Sequence, residues 1–313
     1  MVFALYDLPR TSGGGEVVLR NLRLLRRSHA ELFAGEERSK SQWLIPRNWV
    51  DSAVLLRGNY VLMPQNAWPW TGQSRGLRSG FSRGLLRIAS ECSIGRAEGL
   101  VRIGTAIPDR GRVLGPVIPN VLDEEFEDIL DSFDPQLLPE NVSNTFLAVG
   151  SWTPYRNYET LLDGYALYRA AGGAWDLLIG IPGTTGFDTS GLPGVKILNK
   201  VSRVDVIEAY LRSGAAIFPS SVEASPVSVL EASEVGIPMI VSDISGHRDL
   251  PIRALKFPAT NSKFLSELML RKEFESQKPV QRFEYCKLRA CDRRKAREAW
   301  ISGLAEQLQN VCR

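Results

Sequence analysis

Cysteine is scarce in this sequence and poorly placed for structure. Its four thiols, Cys92, Cys286, Cys291 and Cys312, make neither a CxxC pair nor a metal-ligand spacing. That excludes a disulfide-stapled domain or a zinc ribbon and fits the reduced thiols of a cytosol. No run of about 18 apolar residues occurs, so the sequence offers no transmembrane helix. The opening MVFALYDLPR lacks the basic segment of a signal peptide and reads as a first strand. Neither a metal cluster nor a dedicated general base stands out. Histidine occurs only twice. His29 follows a helical stretch among Arg26, Arg27 and Ser28, where the helix dipole favours it, and His247 reads as structural or exposed.

What is present points to a soluble globular protein, with 44% hydrophobic and 23% charged residues. At 313 residues the chain divides naturally into two domains of about 120 to 160 residues. The net charge of +3 hides an asymmetry, because residues 1–120 hold 17 Lys plus Arg against 9 Asp plus Glu. A basic first half is compatible with an anionic membrane, a nucleic acid or a phosphorylated acceptor. Arg75 to Ile88 interleaves Arg75, Arg78, Arg83 and Arg87 with Leu77, Phe81, Leu85, Leu86 and Ile88. Such a stretch either lies on anionic lipid or turns its apolar stripe to the domain core.

The most informative segment is Phe218 to Asp243, FPSSVEASPVSVLEASEVGIPMIVSD. Its apolar run Ala215–Phe218 suits a buried strand stopped by Pro219–Ser221. Ser225 and Pro226 read as a cap followed by proline at the first helical position. A helix from Pro226 to about Val235 follows, ended by Gly236 and Pro238, and then a second apolar strand. In a parallel sheet the first-turn N–H groups of Val227 and Ser228 lie at the carboxyl edge, where they favour an anion. Glu223 precedes this helix, and Glu231 sits roughly 7 Å along its axis. Carboxylates flanking an anion site do not hold phosphate; they accept hydrogen bonds from hydroxyl donors, and sugar hydroxyls fit. Either Glu taken alone also serves as a plain dipole device.

Pro219, Ser220, Glu223, Pro226, Leu230, Glu231, Ala232, Gly236, Pro238, Ser242 and Asp243 resemble the E-x7-E region of retaining nucleotide-sugar glycosyltransferases of the GT-B fold, family 4 in particular. Thr11–Glu16 with Gly13, Gly14 and Gly15 is similar to the glycine turn after the first strand of those enzymes, where it faces the donor diphosphate. Val113 to Leu122 followed by Asp123 resembles their strand-then-IPN segment before the domain crossover, and Asp123 to Asn144 reads as the linker. Thr145 to Gly150 reads as a strand. The following Ser151 to Asn157 resembles a loop whose lysine binds the diphosphate, with Arg156 in that place. A guanidinium keeps the charge and adds a bidentate fork. Two departures stand out: Ser151 and Tyr155 occupy positions where relatives carry a second basic residue, and Gln65–Asn66 stands where many carry a histidine. Gln65 and Asn66 are either acceptor-side hydrogen-bonding groups or a polar turn. The segment Asn199 to Leu211 resembles the one whose backbone near Lys200 and Val201 meets the base.

The resemblance implies an α/β protein of the GT-B fold, with two facing Rossmann-like domains and a central cleft. These comprise residues 1–130 on the acceptor side, residues 145–290 for the nucleotide sugar, and residues 291–313 as a final helix packing back on the first domain. It implies transfer from a UDP- or GDP-sugar to a carbohydrate, lipid-linked or other small acceptor, with retention and no metal or other cofactor, in cell-surface polysaccharide or glycolipid synthesis. Glu223 and Arg156 are the expected catalytic residues. Gly14, Gly15, Arg156, Val227, Ser228 and Glu231 are the expected donor contacts, with Glu231 on the ribose. Leaving-group charge would be met by Arg156, the glycine turn and the helix amides. A cytoplasmic protein, peripheral at an anionic inner membrane face and without nucleic acid, is expected. The alternatives are a non-catalytic scaffold subunit that kept the fold, or an epimerase or hydrolase built on it.

Overall fold

The computed structural model describes residues 3–5, 14–33, 42–48, 50, 55–56, 58–71, 77–185, 187–189, 191–271 and 278–312. The chain forms two compact units. The first comprises Met1–Asp123, Val222–Pro226 and Arg293–Arg313, and the second Glu124–Ser221 and Val227–Asp292.

The first unit holds a parallel sheet of order β1-β2-β3-β4, made of β1 (Phe3–Leu5), β2 (Gln42–Ile45), β3 (Tyr60–Leu62) and β4 (Gly99–Leu100). Between β1 and β2 lies α1 (Gly14–Ser28), whose Val17, Val18, Leu22 and Leu25 are buried at helical spacing. Gly14 and Gly15 open this helix; Thr11 to Gly13 lie outside the described residues. Arg20 bonds Glu16 at 3.0 Å one turn back and the buried Asp123 at 3.1 Å. After β3 come the short α2 (Trp68–Thr71) and the long α3 (Leu77–Arg96). The inner side of α3 carries Ser90, Ser93 and Ile94, and the Tyr60 hydroxyl donates to the Ser93 carbonyl at 2.6 Å. Burial pushes that phenol up to about 12. On the outer side Phe81, Leu85 and Ile88 are 70%, 53% and 62% exposed, so the stripe does not turn to the core. Val113 makes one isolated parallel bridge to Leu100 where a strand was expected. Its run of proline and glycine supports no ladder.

In the second unit, the stretch read as a linker opens with a helix, α4 (Glu124–Ser132). Its acidic first turn complements the helix dipole, and Phe126, Ile129 and Leu130 are buried on one face. The charge of this stretch masked three apolar residues at helical spacing. Six parallel strands follow: β5 (Ser143–Val149), β6 (Asp176–Ile181), β7 (Val195–Asn199), β8 (Ser213–Phe218), β9 (Met239–Ser242) and β10 (Leu255–Phe257). Their order is β10-β9-β8-β5-β6-β7. The helices between them are α5 (Tyr158–Ala170), α6 (Arg203–Arg212), α7 (Val227–Val235) and the one-turn α8 (Ser245–Arg248), and α9 (Ser262–Met269) follows β10. All six residues of β8 are buried, as befits a central strand covered on both faces. The sheet packs Phe146, Ile179, Ile217, Ile240 and Phe257 against Leu161, Tyr165, Leu265 and Leu268. Next comes α10 (Pro279–Leu288), and the final α11 (Ala290–Cys312) passes into the first unit, where Gln307 donates to the Pro116 carbonyl at 2.8 Å.

One buried cation ties α10 to the sheet. Arg282 is fully buried, and its Nη1 donates to the carbonyls of Tyr210, Leu211 and Ser213 at 3.0, 3.3 and 2.6 Å. These are carbonyls at the end of α6 and the start of β8, which a helix terminus leaves without intrahelical donors. Burial draws the guanidinium down to about 10, still charged at neutral pH. Arg282→Ala removes a common donor from three buried acceptors. It should cost roughly 3 kcal/mol or more in urea unfolding, and a loss below about 1 kcal/mol would contradict this role.

Candidate active site

The order of the second sheet reverses beside β5: the chain runs outward through β6 and β7 and returns to form β8 on the other side. At such a switch point the loops after the two central strands diverge and leave a crevice at their carboxyl ends. The candidates Arg156, Val227, Ser228 and Glu231 all follow β5 or β8. Gly14, Gly15, Gln65, Asn66 and Glu223 belong to the first unit.

The loop after β5 is built around Gly150, at φ 151°. A Cβ there would come 3.2 Å from Arg156 Nε and 3.3 Å from the Tyr158 hydroxyl, so glycine admits both groups against the backbone. Tyr158 donates to the Gly150 carbonyl at 3.0 Å and stacks on Trp152 at 4.7 Å. Arg156 ends a 3-10 turn, Pro154–Arg156, and lies over the Tyr155 ring. Asn157 then turns the chain in the left-handed region, at φ 57°. Its Nδ2 donates to the carbonyls of Pro219 at 3.0 Å and Ala259 at 2.6 Å, and its Oδ1 accepts the Thr160 hydroxyl at 2.9 Å. The Ser221 amide closes onto the Tyr155 carbonyl at 2.8 Å. The loops after β5 and β8 are therefore one hydrogen-bonded assembly.

On the β8 side α7 starts at Val227, one residue later than expected. The Ser225 hydroxyl accepts the Asn120 amide at 2.8 Å within the first unit. Ser228 gives its carbonyl to the Tyr210 hydroxyl at 3.1 Å. Burial pushes that phenol well above its ordinary value; Glu231 adds to the rise and Arg156 opposes it. Glu231, expected to meet a ribose, is 7% exposed and accepts from Arg203 Nε at 2.8 Å, while Arg203 Nη1 donates to Glu125 at 2.7 Å.

Several expectations change. Near Lys200 and Val201, where backbone groups were expected to meet the base, the two amides donate to the carbonyls of Gly183 and Ile181 at 2.8 and 3.1 Å. In the first unit, the Gln65 side-chain amide donates to the Met63 carbonyl at 3.0 Å, and the buried Asn48 holds the turn by accepting the amides of Gln65 and Asn66 at 3.1 and 3.0 Å. That is a pinned polar turn. His247 is buried, with Nδ1 donating to the Ser242 carbonyl at 2.8 Å, and is structural. Sequence reasoning missed Asn48, Arg203, Tyr210 and Glu125. Only Arg203 carried a usable signal, as a cation at the first position after the Ser202 cap. Among the described residues no group of three or more His, Cys, Asp or Glu is placed to hold a metal ion.

The reversing parallel sheet makes this an α/β protein, and its fold is that of GT-B glycosyltransferase structures. Residues 131–255 match the family described as glycosyl transferases group 1. Solved structures share the fold. Sucrose-phosphate synthase from Thermosynechococcus elongatus is 15% identical at TM-score 0.59, over 96% of this chain and 78% of that one. The UDP-forming alpha,alpha-trehalose-phosphate synthase from Burkholderia xenovorans, in complex with glucose-6-phosphate, is 10% identical at TM-score 0.60, over 95% and 84%. A TarM variant from S. aureus, in complex with fondaparinux, alpha-GlcNAc-glycerol and UDP, is 13% identical at TM-score 0.51, over 80% and 50%. The curated proteins give no match.

Asn157 is the keystone of this assembly. Asn157→Ala loses two donated bonds and replaces asparagine, which tolerates the left-handed region, by alanine, which tolerates it less, for an expected cost of roughly 2–4 kcal/mol. Asn157→Gly relieves the backbone alone and should be milder; equal costs in chemical unfolding would overturn the backbone contribution.

Proposed function

We propose that the second unit binds a nucleotide sugar at its switch point and that the protein transfers the sugar to a carbohydrate, lipid-linked or other small acceptor with retention. The observation that supports this is that Arg156 follows β5 while Val227, Ser228 and Glu231 follow β8, the two neighbouring strands at which the order of the sheet reverses. Arg156 and the amides of Val227 and Ser228 meet the diphosphate, Arg156 through a charged fork and the helix through its N-terminal partial charge. Glu231 accepts from the ribose hydroxyls. In the transition state the bond from the anomeric carbon to the phosphate oxygen breaks and negative charge grows on the leaving phosphate. Fixed donors already aimed there lower the barrier without reorganising. The departing phosphate takes the acceptor proton, which dispenses with a side-chain base. Glu223 holds hydroxyls of the transferred sugar, Gly14 and Gly15 take the diphosphate role that the glycine turn implies, and no metal or other cofactor is assigned.

Of the candidate donors, UDP-sugars come first, because UDP names two of the structural relatives; GDP-sugars are second. Cell-surface polysaccharide or glycolipid synthesis is the proposed setting. A second reading, a non-catalytic scaffold, draws on Ser151 and Tyr155 at the expected basic positions and on the Gln65 amide committed to Met63.

Peripheral contact with an anionic membrane belongs to the proposal as well. Phe81, Leu85 and Ile88 form one outward stripe on α3, with Arg87 exposed beside it. No helix among the described residues is long and apolar enough to cross a membrane, and the arrangement suits a helix lying on the surface.

Two measurements test these assignments. UDP or GDP should raise the melting temperature of the wild type, since a ligand selective for the folded state stabilises it. The shift should shrink in Arg156→Ala and Glu231→Ala. No shift with either nucleotide favours the scaffold, and product formation with a candidate acceptor excludes it. For the membrane, wild type should sediment with phosphatidylserine vesicles. The double variant Phe81→Ser, Leu85→Ser should lose about tenfold or more in partitioning, given about 1.5–3 kcal/mol for each buried apolar side chain. Equal sedimentation of the two proteins would contradict the assigned stripe.

A further inference from the structure

Glu231 is held by a residue that nothing in the E-x7-E pattern specifies. Arg203 opens α6 directly after Ser202, whose hydroxyl accepts the Asp205 amide while the Asp205 carboxylate accepts the Ser202 amide. This reciprocal cap fixes the backbone from which the Arg203 side chain leaves. Seven residues on, and on the same helical face, Tyr210 donates to the Ser228 carbonyl at 3.1 Å. Two polar links thus join α6 to α7 in antiparallel sense, Arg203 with Glu231 and Tyr210 with Ser228. Between them Ile207 is fully buried. The first turn of α7 and the carboxylate one turn further in are both positioned from α6.

The chemistry of the link bears on what Glu231 recognises. A carboxylate this buried, without a cation, takes up a proton or turns toward water. Arg203 Nε at 2.8 Å keeps it ionised and in one rotamer, and Glu125 at 2.7 Å from Nη1 keeps the guanidinium from swinging away. An oxygen of an ionised carboxylate accepts more than one hydrogen bond, so a carboxylate can meet an arginine and a hydroxyl donor together.

We propose that Arg203 is a positioning residue for the candidate donor site, holding Glu231 ionised and oriented to read a vicinal diol, with Glu125 as its anchor. This rests on the reading of Glu231 as the ribose contact. The same arrangement predicts selectivity for a ribonucleotide over deoxy analogues.

The test is calorimetric titration of the full chain with UDP, 2′-deoxy-UDP and 3′-deoxy-UDP, or the GDP series if that nucleotide binds. Wild type should prefer the ribonucleotide over at least one deoxy form. Arg203→Gln should reduce that preference by at least about fivefold, the worth of one hydrogen bond, while leaving affinity for the deoxy form within about twofold. Arg203→Lys, which restores a positive charge, should recover part of the preference, and Glu125→Gln should lower it less than Arg203→Gln. An unchanged preference in both Arg203→Gln and Arg203→Lys, with only the melting temperature lowered, would make Arg203 a purely structural residue and overturn the proposal. If Arg203→Gln does not fold, an unchanged preference in both Arg203→Lys and Glu125→Gln overturns it equally. A wild type that binds nucleotide with no ribose preference would instead remove the ribose role of Glu231, and the proposal with it.

Discussion

The reversal of strand order beside β5 is the constraint on which the second unit depends. A strand buried on both faces has no place for a charge along its length, so polar groups gather at its ends. In β8 all six residues are buried, and the chain becomes polar at once in Pro219, Ser220 and Ser221. Because β5 and β8 are neighbours while their following segments lead to different helices, the two polar ends must be reconciled. Asn157 does this with donated bonds to the Pro219 and Ala259 carbonyls. The left-handed turn at Asn157 and the glycine at position 150 are the backbone cost of bringing Arg156 into the same place.

Charge is handled in a consistent way through the unit. Arg282 is spent on helix-end carbonyls that the sheet cannot satisfy. Arg203 is shared between two carboxylates and aligns one of them. Arg156 lies over the Tyr155 ring and close to Gly150. Burial holds the Tyr210 phenol well above its ordinary value, with Glu231 adding to the rise and Arg156 opposing it. A buried phenol kept neutral donates to Ser228 and fixes the first turn of α7 without adding charge to a site already rich in it.

Much of this was legible in the sequence where local rules and tertiary demands agree. The strands β5, β6, β8 and β9 are short apolar runs stopped by glycine, proline or serine, and α7 is bounded by proline and glycine; their existence followed directly from those signals. The helix α4 was hidden because its acidic composition resembles a linker, while the three apolar residues that bury it count only once there is a surface to bury them against. The strand expected at Val113 reduced to a single bridge for the opposite reason: an apolar run broken by glycine and prolines satisfies hydrophobicity but not a ladder. At the site, Arg156 and Glu231 came from motif positions. Arg203, Glu125 and Tyr210 did not, because pairings across 28 and 78 residues leave no trace in local spacing.

The central claim is that the crevice between the ends of β5 and β8 receives a nucleotide diphosphate. Hydrogen exchange followed by mass spectrometry, with and without saturating UDP or GDP, tests it without presupposing an acceptor or turnover. The account predicts slowed exchange in the segments covering residues 150–158 and 227–231, with little change in β10 and α10. Nucleotide binding that leaves both segments unchanged and protects others would contradict it.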